Sequence, residues 1–150
     1  MNVKIKKLSN RAVIPKYSRK GDAGLDLTCT YFKETDMYIE YGTGLSFAIP
    51  EGYVGYIFPR SSCSNYDLSL ANCVGVVDSN YCGEVTFRFK KSPRQNWSGV
   101  LVDPEAHKRY KIGDRVGQII IMPIPEITFE EVEELDQTVR GENGYGSSGT

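Results

Sequence analysis

Apolar residues in this chain recur at every second position, and that period leaves room for little besides β-strands. Val3 and Ile5 alternate with Lys4 and Lys6; Leu25, Leu27 and Cys29 with Asp26, Thr28 and Thr30; Val85, Phe87 and Phe89 with Thr86, Arg88 and Lys90. Successive side chains of a strand point to opposite faces, so each stretch reads as a strand with one buried face. Leu45, Phe47 and Ile49 repeat the pattern, Pro50 to Gly52 breaks it, and YVGYIF from Tyr53 to Phe58 resumes it. QIIIM, from Gln118 to Met122, is a continuous run suited to a strand covered on both faces. Helical spacing is nearly absent: EEVEELDQT offers only Val132 and Leu135 for an apolar stripe and reads as strand or loop. Many short strands separated by turn residues predict an antiparallel sandwich, jelly roll or barrel.

A chain of 150 residues without internal repeats fits one domain that needs no disulfide support. The polar, proline-broken stretch from Lys90 to Asp114 reads as a surface loop between two strands. Cys29, Cys63, Cys73 and Cys82 form no C-x-x-C pair and His107 is the only histidine, so zinc-ligand spacing is missing. The cysteines read as reduced, small core residues. MNVKIKKLSN contains no apolar signal-like run, and no stretch approaches a membrane span, so a soluble, intracellular protein is expected, with nuclear or viral origin open. The formal charge of -1 supplies no basic footprint for stable nucleic-acid binding, although local arginines can still meet a small polyanion.

Side-chain nucleophilic catalysis has little to work with. The single histidine sits in the charged run EAHKRY, and G-x-S-x-G is absent. Functional groups gather instead where strands end in turns: AGLDL (Ala23 to Leu27), PRSS (Pro59 to Ser62), GVVDSNYCG (Gly75 to Gly83), GDRVGQ (Gly113 to Gln118) and the terminal RGENGYGSSGT. Asp78, after the apolar GVV, reads either as a turn residue or as a base that orients water. An ionised aspartate is a weak base and needs a strongly electrophilic centre, such as a polyphosphate with a divalent metal and nearby cations. Arg60 and Arg140 supply cations. Mg²⁺ retains waters and often takes substrate phosphates as ligands, so a carboxylate cluster is not required. The terminal run, with four glycines, suits either a frayed end or a loop closing over phosphates.

Taken in order, these five segments resemble the motifs of the trimeric deoxyuridine triphosphatases, which hydrolyse dUTP to dUMP and pyrophosphate. The match runs from Ala23 to the C-terminus; SLANCVGVVDSNYCGEV and IIIMPIP are also similar to that family. The resemblance implies an all-β, jelly-roll-like domain over residues 1–139, a flexible phosphate-binding lid over 140–150, and a homotrimer whose active sites are shared between chains. It also implies Mg²⁺ held mainly by substrate phosphates and waters, with Asp26 acting indirectly.

By the same resemblance Asp78 orients the water that attacks the α-phosphorus, and Asp26 belongs to the network around metal and water. Arg60, Ser61, Ser62, Gln118, Arg140, Ser147 and Ser148 meet the phosphates. A hairpin from Cys73 to Tyr81, including Gly75 and Val77, receives uracil through its backbone, with Asn72 close by. Tyr81 lies under the sugar and disfavours a 2′-hydroxyl. Tyr145 stacks on the base, beside Gly144 and Gly146. Such an enzyme limits uracil incorporation into DNA and supplies dUMP for thymidylate synthesis. Three positions depart from the common pattern: Cys82, often arginine or glutamine; Ser62, often glycine; and Gly117, often alanine. Two rivals are weighed. A dCTP deaminase is disfavoured because its catalytic glutamate aligns with Arg88, and a silent nucleotide-binding regulator because Asp78, Tyr81, Arg140 and the tail are intact.

Overall fold

The computed structural model describes residues 1–91 and 108–142. The alternating stretches become strands: β1 (Lys4–Lys7), β2 (Leu25–Thr28), β3 (Tyr31–Glu34), β4 (Ile39–Gly42), β5 (Leu45–Ala48) and β6 (Tyr53–Phe58). A single 3₁₀ turn (Ser61–Asn65) follows, then β7 (Leu68–Leu70), β8 (Gly75–Val77), β9 (Thr86–Lys91) and β10 (Arg115–Pro123). Two four-stranded sheets, ordered β2-β10-β6-β8 and β3-β4-β9-β7, and a β1-β5 ribbon account for all of them. Every pairing is antiparallel. This is one of the antiparallel architectures that the alternation predicts, and the jelly-roll-like one that the resemblance implies.

The core lies between the sheets. Leu27, Leu45, Phe87 and Phe89 are fully buried at positions that the alternation turns inward, and Ile39, Tyr41, Val116 and Ile119 are fully buried with them. On the solvent side of the second sheet, Arg88 lies directly opposite Glu40 and donates from Nε to Oε2 at 2.7 Å. Cross-strand partners of opposite charge favour this register.

Gly117 shows why one departure from the family pattern is tolerated. A Cβ there would lie 2.1 Å from Cε1 of Phe87, whose ring is fully enclosed. This chain therefore uses a glycine to admit a large facing ring. Gly117→Ala is expected to lower stability by about 1–3 kcal/mol, the usual cost of overpacking a filled core. Urea denaturation checks this, and an unchanged midpoint would mean that the ring has room to retreat.

Several expectations are corrected. Only Cys29 of the four free cysteines is a core residue; Cys63 is half-buried, and Cys73 and Cys82 are exposed because they fall in turns. Burial pushes the Cys29 thiol up to about 11, so it stays protonated. The GVVDSNY segment does not fold back on itself as a hairpin: β8 pairs with β6, and the chain then turns toward β9 in the other sheet. The Gln118–Met122 run is covered on one face only. Ile119 is buried, whereas Met122 is 48% exposed, as is Val76 of the same sheet at 62%. EEVEELDQT is neither helix nor strand, which leaves loop. The expected loop between β9 and β10 lies mostly outside the described residues. No described helix is long and apolar enough to cross a membrane.

Candidate active site

The first polar recess forms where β2 and β10 run side by side and the chain leaves β6. Gln118 is the register partner of both Asp26 and Phe58, so AGLDL, GDRVGQ and the start of PRSS meet at one level of the sheet. Arg60 donates from Nε to Asp26 Oδ1 at 2.6 Å, and Arg115 from Nη1 to Asp26 Oδ2 at 3.0 Å. Gln118 donates to the Pro59 carbonyl at 3.0 Å. A Cβ on Gly24 would fall 2.1 Å from the Gln118 side-chain oxygen, so this amide position requires the glycine of AGLDL.

Asp26 thus holds two guanidinium groups at the mouth of a 690 Å³ recess, which Arg19, Ser61 and Gln118 also line. The Arg60–Asp26 pair is partly solvated, 25% and 22% exposed, and contributes on the order of 1 kcal/mol at most; its main effect is to set direction. The 3₁₀ turn is held from behind. Cys63 N–H donates to the Arg60 carbonyl at 2.8 Å, and the Tyr66 ring stacks on buried Tyr110 with centroids 4.0 Å apart. Ser62 accepts from Arg60 at 3.4 Å, while Ser61 is exposed toward the recess.

The second recess, of 210 Å³, is lined by Asn72, Gly75, Val77, Asp78, Tyr81 and Glu84 among others. Cys73 turns the chain into it with a φ of 59°, an uncommon left-handed conformation for a side chain other than glycine. Tyr81 N–H donates to the Asp78 carbonyl at 3.1 Å, so Asp78 opens a tight turn as its sequence context predicts. The Asp78 carboxylate is exposed and, among the described residues, engaged by no ion pair or hydrogen bond.

The two recesses lie at opposite ends of the sheet. Val77 sits opposite Gly55, so Asp78 is level with Val54, whereas Asp26 and Gln118 are level with Phe58. Four residues along a strand and three strand spacings separate the Asp26 and Asp78 backbones by roughly 20 Å. One chain therefore brings Asp26, Arg60, Ser61, Ser62 and Gln118 together, and separately Asn72, Gly75, Val77, Asp78 and Tyr81, but does not join the two groups. Arg140 is exposed on the segment after β10. Tyr145, Gly146, Ser147 and Ser148 lie outside the described residues.

Sequence reasoning missed Arg115 and Glu84. Arg115 is the first residue of β10, and only the pairing with β2 brings it to Asp26. Glu84 joins the Tyr81 turn to the second sheet through hydrogen bonds that no short motif announces. A larger recess, 940 Å³, lies elsewhere, lined by Phe32, Tyr66, the Lys108–Ile112 stretch and Asp114, so of the motif segments only GDRVGQ reaches it, through Asp114. Chemistry rather than size selects the two smaller ones.

Fold and recesses together define a class: jelly-roll-like β proteins with an arginine-bearing polar recess at the β2–β10 edge of one sheet. A family model described as dUTPase matches residues 10–149. The deoxyuridine 5'-triphosphate nucleotidohydrolase of Corynebacterium glutamicum is 38% identical, covering 98% of this chain and 94% of its own. That of Helicobacter hepaticus is 36% identical over 99% of this chain and 89% of its own. The dUTPase of Staphylococcus bacteriophage 80alpha, solved with dUPNHPP, superposes with a TM-score of 0.78 at 28% identity, covering 99% of both chains. A dUTPase from the S. aureus phage phi11, whose structure describes a structural Mg(II) ion, gives 0.69 at 26% identity over 89% of this chain and 98% of its own. The chain belongs to the dUTPase family.

Proposed function

We propose that this protein hydrolyses dUTP to dUMP and pyrophosphate inside the cell, by attack of water on the α-phosphorus. The observation that carries the reading is the contrast between the two aspartates. Asp26 has both oxygens committed to Arg60 and Arg115, whereas Asp78 presents an exposed carboxylate beside an aromatic ring. The first arrangement orders cations for phosphates; the second leaves a base free to accept a proton from water. Arg60, Ser61, Ser62 and Gln118 meet the triphosphate, and Arg140, Ser147 and Ser148 complete its γ end. Asn72, Gly75 and Val77 take uracil, Tyr81 packs under deoxyribose, and Tyr145 with Gly146 closes over the base.

Mg²⁺ arrives as part of the substrate complex. Among the described residues no group of three or more His, Cys, Asp or Glu could hold a metal, and Asp26 already serves two arginines, which fits an ion carried by the triphosphate and its waters. When bound with the substrate, Mg²⁺ would supply charge neutralisation on the phosphates.

The active assembly is a homotrimer in which Asp78 of one chain faces Asp26 and Arg60 of another. Two features support this: the separation of the half-sites, and the apolar surface around them. Val76 and Met122 are exposed on the sheet, and Ile127, Phe129 and Leu135 are 64%, 95% and 86% exposed on the segment after β10. Such apolar surface marks a protein–protein contact. Deamination has no support, since Arg88 points outward onto Glu40 and stacks over Tyr38 at 4.8 Å.

The test is incubation with a panel of nucleoside triphosphates and Mg²⁺ in ¹⁸O-water. dUTP is expected to be the preferred substrate, with pyrophosphate released and label in dUMP. Orthophosphate release, or label confined to pyrophosphate, would overturn the proposed chemistry.

A further inference from the structure

Tyr81 is 46% exposed and gains little from core packing, yet its ring has a defined place. Its hydroxyl donates to the Glu84 carbonyl at 2.9 Å, closing a loop across Gly83. A Cβ on Gly83 would lie 2.5 Å from Tyr81 Oη, 2.6 Å from Cζ and 2.9 Å from Cε2, so the ring lies directly over that α-carbon. Gly83 is not among the positive-φ residues. The glycine is needed here for ring space rather than for an unusual backbone.

The carbonyl that receives the tyrosine is itself pinned. Glu84 Oε1 accepts from the Gly44 N–H at 2.7 Å, and Oε2 accepts from the Tyr31 hydroxyl at 3.2 Å. On either side, Ser46 Oγ donates to the Cys82 carbonyl at 2.6 Å, and Val85 N–H donates to the Leu45 carbonyl at 2.9 Å. Burial and the Glu84 charge push Tyr31 up to about 12, so it remains a donor throughout the neutral range.

From this geometry we propose that Gly83 and Glu84 are positioning residues for sugar selection: they fix the height and tilt of the Tyr81 ring, and Tyr31 completes the brace from the neighbouring sheet. The proposal rests on the reading of Tyr81 as the surface beneath deoxyribose. A ring held against Gly83 defines a floor for the sugar. A ring pushed away by even one methyl group changes the space available to a 2′-hydroxyl.

The experiment compares kcat/KM for dUTP and UTP in the full chain and in Gly83→Ala, Glu84→Ala and Glu84→Gln. The three atoms nearest a Gly83 Cβ all belong to the exposed tyrosine ring, so Gly83→Ala is expected to fold and assemble normally. Its dUTP:UTP preference is expected to fall roughly tenfold or more, the scale on which one methyl group alters pocket discrimination. Glu84→Ala is expected to lose preference similarly, and Glu84→Gln, which keeps a side-chain oxygen for Gly44, to recover most of it. A folded Gly83→Ala protein as selective as the parent would overturn the brace. A parent chain that does not prefer dUTP would overturn the functional reading instead. Nuclear Overhauser contacts between the Tyr81 ring and Gly83 Hα, measured on the parent without substrate, test the brace independently of turnover; their absence also counts against it.

Discussion

Asp78→Asn is expected to fold, assemble and bind dUTP like the parent, yet to turn it over roughly 10²–10⁴-fold more slowly, the usual contribution of a positioned general base. The fold should survive because the carboxylate is exposed and, among the described residues, supports no hydrogen bond or ion pair; what organises the turn is the Asp78 carbonyl, which accepts from Tyr81 N–H. An asparagine keeps that carbonyl and a similar shape. It loses the ability to accept a proton as a carboxylate does. Single-turnover kinetics combined with a binding isotherm separate the two effects. Near-normal turnover would reduce Asp78 to a turn residue, whereas lost binding with a normal chemical step would make it a substrate contact.

The same contrast shows what the sequence made legible. Strands such as β9 emerged from period-two alternation because the sandwich buries one of their faces, and Leu27, Phe87 and Phe89 are inward positions of that alternation. Local reading failed where a fact was non-local. The GVVDSNY turn invited a hairpin, but β8 finds its partner in β6, across the whole 3₁₀ turn and β7. Arg115 belongs beside Asp26 only through the β2–β10 register. Glu84 matters through Gly44 and Tyr31, distant in sequence. The QIIIM run reads as a doubly covered strand because its composition alone does not distinguish a buried apolar face from an exposed one. It predicted cover on both faces, and the outer face, with Gln118 and Ile120, lines the recess that holds Asp26 and Arg60.

The separation of the half-sites makes a second large effect accessible. Arg60→Ala is expected to impair catalysis by removing a phosphate cation while Asp26 keeps Arg115 as its partner. Assembled alone, Arg60→Ala chains and Asp78→Asn chains should each contain only defective sites. Coexpressed with different tags and purified as mixed trimers, they should regain activity, because some sites combine an intact Asp78 from one chain with an intact Arg60 from its neighbour. In a ring, every mixed trimer holds one junction of its three at which both halves are intact, so purified mixed trimers should approach about a third of parental turnover. The gain over either parent is then limited only by their residual rates. A site built within a single chain cannot behave this way, since every chain in the mixture carries a defect. Activity fixed at the average of the two parents, in trimers shown by mass to contain both chains, would therefore mean that Asp78 and Arg60 serve the same chain's site. It would then require the roughly 20 Å between these sheet ends to be closed by a rearrangement that joins β8 to β2.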